Sequence, residues 1–246
     1  MDSLKFRLNG NQLKLIAVIS MLVDHAAFVF YNKYFMYTSM RELVYYGIRG
    51  FGRIAFPIYA FLLAEGFCHT RNLRNYAIRL LICALISEIP YNYMVSGNFL
   101  YAEMQNIFWT LLLGLLMMKC LKEAVIRYPG TTGKQLQLVV IVAFCTIAWM
   151  FKVDYDYRGI MLIGLLCWFY GDLPQMCMAA LIWMLVTMGS LNVFSLLQAV
   201  GYAAAFFLIY HYDGTRGIWN GKAFFYAFYP VHLIILDIIK TLWCFF

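Results

Sequence analysis

The sequence predicts an all-α fold: a polytopic bundle of about nine transmembrane helices forming a single domain over residues 1–246. Three observations carry this prediction. Of the 246 residues, 64% are hydrophobic and only 13% are charged, with a mean hydropathy of +0.72. Soluble domains hold about a quarter charged residues, so this composition belongs to a chain solvated by lipid. The apolar runs far exceed the ~10-residue alternating segments of a β-barrel and show no alternation. Lysine and arginine gather in the short links between runs, as they do in helical membrane proteins.

Taken in order, the spans lie near 12–31, 48–68, 74–95, 104–121, 136–151, 158–171, 174–190, 192–211 and 222–244. The first contains Asp24 and is followed by many more, so it reads as a retained helix and not a cleaved signal. Between 136 and 171 two short runs flank Lys152, Asp154, Asp156 and Arg158; two spans or a re-entrant pair both fit. No internal repeat or low-complexity tract interrupts the series.

Lys5, Arg7 and Lys14 precede the first span, and Arg71, Arg74 and Arg79 follow the second. Lys119, Lys122, Arg127 and Lys134 follow the fourth, and Arg216 and Lys222 precede the ninth. All fall on one side if the N-terminus is cytoplasmic, which predicts an integral protein of the bacterial cytoplasmic membrane in that orientation. Arg41, Arg49 and Arg53 fall on the far side. The formal charge of +7 then marks cytoplasmic loops and anionic headgroup contacts, and nucleic acid is not an expected partner. Seven cysteines, an odd number with no C-x-x-C pair, argue against a disulfide framework and a zinc site, and no metal is expected.

An ionisable residue inside a membrane helix costs several kcal/mol unless it faces a partner or a cavity, so each is a candidate for function. Asp24 and His25 sit side by side in MLVDHAAFVF. Arg49 and Arg53 begin the second span at the same depth and, four apart, share a face. Glu88 precedes Pro90, a helix-disrupting residue, in SEIPYNY. Asn106 opens the fourth span, and Asp154, Asp156 and Arg158 occupy the link after the fifth. Four elements thus place polar groups at one level.

Asp24 with Arg49 or Arg53 reads equally as a structural ion pair. Neighbours on a helix point about 100° apart, so Asp24 and His25 do not aim at one spot. His25 is the better chemist, because an imidazole gives or takes a proton near neutrality; the alternative is a hydrogen-bonded core histidine. His232 in YPVHLIIL shares a face with Tyr229 and reads as structural or catalytic. Glu65 and His69 lie at the opposite level. RGFGR lacks the strand and spacing of a nucleotide fingerprint, and the sequence holds no P-loop, G-x-S-x-G or H-E-x-x-H.

Several of these segments together resemble the TraX family: LKLIAVISMLVDHAAFVF, IRGFGRIAFPIYAFLLAEGFCHTRN and YAIRLLICALISEIPYNY, followed by NIFWTLLLGLL, DYDYRGIMLIGLL and FYPVHLIIL. The likeness covers essentially the whole chain. The motif histidine matches His25, a GR-FP motif matches Gly52, Arg53, Phe56 and Pro57, and a SEIP motif matches Ser87 to Pro90.

The resemblance implies acyl transfer, most simply of acetyl from cytoplasmic acetyl-CoA to an amine or hydroxyl of an extracytoplasmic peptide, pilin or glycan. On that reading Arg71, Arg74 and Arg79, with His232 and Tyr229, serve the acyl-CoA. His25 is the general base or transient acyl carrier, with Glu88 or Asp24 setting its tautomer. Arg49, Arg53 or Asn106 stabilises the oxyanion, and Asn106, Asp154 and Asp156 meet the acceptor. The rival class is a proton-coupled transporter or flippase, using the same Asp, His, Glu and Arg cluster as a relay; a third is a non-catalytic assembly protein.

Overall fold

A computed structural model describes residues 6–34, 39–189, 192–219 and 221–243. The helices are α1 (Gly10–Tyr34), α2 (Ser39–Gly52), α3 (Ala55–His69), α4 (Leu73–Ser96) and α5 (Ile107–Arg127). They continue with α6 (Thr131–Met150), α7 (Asp156–Trp168), α8 (Leu173–Val186), α9 (Val193–Tyr210) and α10 (Lys222–Trp243). The all-α membrane architecture read from composition is the one observed. Among the described residues, six runs are long and apolar enough to cross a bilayer, with α2 and α3 counted together as Met40–His69. At 13 residues, α7 is about 20 Å long, shorter than a ~30 Å hydrocarbon core. Of the residues used for orientation, Lys5 and the side chain of Lys222 lie outside those described.

The chain forms two compact units: Met1–Tyr59 with Asp172–Phe246, and Ala60–Gly171. In the first, α1 packs on α2 and α10, α2 on α9, and α9 on α8. In the second, α5 touches α4, α6 and α7, and α6 packs on α7.

The start of α1 is fixed locally. The Asn9 side chain accepts from the backbone N–H of Asn11 (3.1 Å) and Gln12 (3.0 Å), while Gln12 Oε1 accepts from Asn9 N–H (2.9 Å). This reciprocal cap satisfies donors a helix start leaves open. Leu8 bonds the backbone of His211 and Asp213, and Gly10 and Asn11 donate to Thr215 and Arg216. Asn11 also donates its amide to the Trp219 carbonyl. The beginnings of α1 and α10 are therefore tied at one end, and the two helices run parallel, Lys14 meeting Phe225 and His25 meeting His232.

The span expected at 48–68 begins earlier and is broken. Ser39–Gly52 is an amphipathic helix whose Arg41 and Glu42 kept it from reading as an apolar run. It stops at Gly52, and Arg53 and Ile54 form a turn closed by Arg53 N–H to Gly50 O and Ile54 N–H to Phe51 O. Pro57 accounts for the break. It cannot donate to the carbonyl one turn back, but in the first turn of a new helix that donor has no partner in any case. Fully buried Ser20 donates to the carbonyls of Phe51 (2.8 Å) and Gly52 (3.2 Å) where α2 ends. Arg49 and Arg53 consequently do not share one helix face: Arg49 is on α2 and Arg53 is in the turn.

Two further expectations change. Lys119, Lys122 and Arg127 are in the last turns of α5 and not in a loop, with Glu123 3.7 Å from Lys119 and 3.4 Å from Arg127; paired charges at that spacing sustain a helix end. Pro90 does not disrupt α4, which continues to Ser96 and ends at the left-handed Gly97. Membrane helices tolerate such a residue when neighbouring groups satisfy the freed backbone.

Candidate functional site

In the first unit, Asp24 and His25 face different helices. Asp24 Oδ2 accepts from Arg49 at 2.7 Å, joining α1 to α2, and the Arg49 guanidinium lies 5.6 Å from the centre of the Phe28 ring. The pair forms because Gly52 presents no side chain: a Cβ there would overlap Asp24 itself. α2 is drawn onto α9 by the same means, since a Cβ on Gly50 would stand 2.7 Å from the Leu197 carbonyl and one on Gly201 would overlap the Gly50 carbonyl.

His25 turns instead to α10. Its Nδ1 is 2.7 Å from His232 Nε2, and His232 Nδ1 is 2.8 Å from the Phe228 carbonyl, one helical turn back. A carbonyl only accepts, so for two neutral imidazoles the network assigns the protons. His232 carries its proton on Nδ1, its Nε2 accepts from His25 Nδ1–H, and the lone pair of His25 falls on Nε2. Tyr229 is edge-on to both rings, 6.0 Å from His25 and 5.5 Å from His232. His232 and Tyr229 are buried and His25 is part exposed. The hydrogen-bond partner of His25 Nδ1 is thus His232, which the sequence reading places with acyl-CoA, while Asp24 is in the ion pair with Arg49. Chemically, the arrangement is a base with its far nitrogen locked.

The second unit gathers Glu88, Asn106 and Asp154 around the start of α5. Asn106, fully buried, caps the helix by accepting from Phe108 N–H (3.1 Å). Its amide donates to the Ala84 carbonyl (2.8 Å) and to Glu88 Oε2. The Trp109 indole N–H donates to the same Glu88 oxygen at 3.0 Å. Thr110 donates its hydroxyl to the Asp154 carbonyl, and Asp154 N–H donates to Gln105 O. Asp156 opens α7 and accepts from Arg158 N–H at 2.9 Å. Arg71, Arg74 and Arg79 are exposed between and along α3 and α4, Arg79 lying 5.7 Å from the Tyr76 ring centre; no salt bridge to any of the three occurs among the described residues.

Three participants escaped the sequence reading. Trp109 is one helical turn from Asn106, a spacing that becomes legible only once the helix start is known. Ser20 is an ordinary small polar residue until the α2 break exposes carbonyls to it. Asp237 was visible as a lone acid in IILDIIK; it is buried, and its Oδ1 has no hydrogen bond among the described residues. No cluster of three or more metal-ligating side chains occurs among the described residues.

Comparison with known proteins covers both groups of residues. The family model described as TraX protein matches residues 9–240. The probable fimbrial assembly protein FimC, serogroup H1, of Dichelobacter nodosus is 26% identical over 245 residues, spanning 92% of this chain and 93% of its own. No solved structure matches. With nearly its whole length inside the family match, from the capped start of α1 to beyond His232, the chain belongs to the TraX family.

Proposed function

We propose that the protein is a membrane-embedded acyltransferase acting in fimbrial or pilin assembly, moving an acyl group, most simply acetyl, from acyl-CoA to an amine of an extracytoplasmic subunit. The carrying observation is the short His25–His232 contact anchored on the Phe228 carbonyl. A histidine that only fills a core has no need of a second imidazole to fix which nitrogen holds its lone pair. The relative named for fimbrial assembly supports a fimbrial subunit as acceptor, and the basic links support an N-terminus in the cytoplasm.

In this reading His25 Nε2 takes the proton of the attacking amine as the N–C bond forms and the thioester C–S bond breaks. It then returns that proton to the leaving thiolate, so an amide and a free thiol result. His232 holds His25 in the required tautomer through both transfers, and the Asp24–Arg49 pair keeps α1 in register with α2. Arg71, Arg74 and Arg79 are assigned to the phosphates of acyl-CoA: they are exposed, permanently charged, and fork-shaped donors suited to phosphate oxygens. Orienting an attacking group and accepting its proton contributes roughly 10²–10⁴-fold.

The test is the mass of the N-terminal peptide of a fimbrial subunit from cells producing either the wild-type chain or a His25→Ala variant inserted at equal level. An acyl-modified terminus with the first and a free amine with the second is expected. Equal modification in both overturns the proposal.

A further inference from the structure

We propose that the second unit contains a binding site for a primary ammonium group, built on α4 from Glu88 and Asn92, separate from any role of His25. The starting observation is an imbalance of donors and acceptors. Glu88 Oε2 receives two hydrogen bonds, from Asn106 and from Trp109, whereas Glu88 Oε1 is buried and receives none among the described residues. One turn along the same helix, Asn92 is 3% exposed. Its amide nitrogen donates to the Phe99 carbonyl at 3.3 Å, while its Oδ1 is buried and has no hydrogen bond among the described residues. Residues four apart lie on one helix face. The N–H groups in this neighbourhood are thus spent on fixing the scaffold, and what they leave over is oxygen: one carboxylate oxygen and one amide oxygen.

Buried polar atoms are nearly always hydrogen-bonded, and an acceptor left empty inside a membrane protein costs several kcal/mol. Two empty acceptors on one face call for a ligand that only donates. A primary ammonium has three N–H donors and no acceptor, and it carries the charge that complements Glu88. An anion or a neutral carbonyl ligand would add oxygen to oxygen. The Asn106 cap explains the rigidity such a site requires: one side chain holds the α5 start, the Ala84 carbonyl and Glu88 together.

The probe is n-butylammonium chloride, titrated onto the purified full-length protein in detergent and followed by isothermal calorimetry, with n-butanol and sodium chloride as comparison ligands. Glu88→Gln is the first variant. Its carbonyl oxygen keeps both Asn106 and Trp109 as donors and places an amide nitrogen where Oε1 was, so the fold is retained while the site becomes a donor. Asn92→Ala is the second; it leaves Glu88 untouched and decides the matter if the first fails to fold. The proposal expects butylammonium to bind the wild type, at least about tenfold weaker binding in Glu88→Gln, and about threefold or more in Asn92→Ala. Butanol should not bind. No binding at ~10 mM ligand, equal binding by the variants, or equal displacement by sodium would each overturn it.

Discussion

Removing Arg49 is the sharpest probe of how the first unit holds its histidine. Asp24 Oδ2 lies 2.7 Å from the guanidinium, both side chains are only 15–17% exposed, and Asp24 Oδ1 has no hydrogen bond among the described residues. Arg49→Met therefore leaves a carboxylate inside the bundle without the guanidinium from which its Oδ2 accepts. Stranding one member of a buried pair costs about 3–5 kcal/mol, against at most about 1 kcal/mol for a solvent-exposed pair. Replacing both partners by apolar side chains of similar size, Asp24→Leu with Arg49→Met, removes the stranded charge and is expected to be neutral or stabilising by about 1–4 kcal/mol. The double-mutant cycle should then show a coupling of at least about 3 kcal/mol. Unfolding of the purified protein by increasing sodium dodecyl sulfate in mixed micelles, read by tryptophan fluorescence, measures all four corners. Single variants within about 1 kcal/mol of the wild type, or an additive double variant, would refute the claim that this pair is buried and joins α1 to α2.

Three other outcomes follow from the same geometry. Gly201→Ala drives a methyl group into the Gly50 carbonyl, and backbone cannot swing aside; a loss of about 1–3 kcal/mol is expected in the same unfolding assay. His232→Ala should lower kcat roughly tenfold or more, with KM for acyl-CoA unchanged, whereas His232→Gln, whose amide oxygen can accept from His25 Nδ1–H, should recover part of the rate. Reversing Arg71, Arg74 and Arg79 to Glu removes three exposed contacts worth about 0.2–1 kcal/mol each. It should raise KM for acyl-CoA by between about threefold and a hundredfold, kcat being preserved, with the difference shrinking at high salt.

The sequence was most legible where a property is local. Composition and run length suffice for an all-α membrane fold, and the angle between adjacent helical positions suffices to separate Asp24 from His25, which indeed meet α2 and α10 respectively. It was least legible where a property depends on a partner distant in sequence. Nothing in MLVDHAAFVF says that the neighbour of His25 is His232, because 207 positions separate them; the sequence offered Glu88 or Asp24 for that place. The break between α2 and α3 was readable in principle from Gly50, Gly52 and Pro57, but the apolar run on either side masked it. Lys119, Lys122 and Arg127 misplaced the end of α5 because charge alone suggested a loop, while the four-residue spacing of Lys119 and Arg127 to Glu123 puts those three on one helix face.

The measurement closest to the central claim uses the purified protein, acetyl-CoA labelled in its acetyl group, and a peptide with the amino-terminal sequence of a fimbrial subunit. Transfer of label to the peptide amine with release of one thiol per transfer, lost in His25→Ala and absent with an N-terminally blocked peptide, is the predicted result. Label transfer that persists in His25→Ala, or a folded wild-type protein that leaves acetyl-CoA intact with the free peptide present, would contradict it.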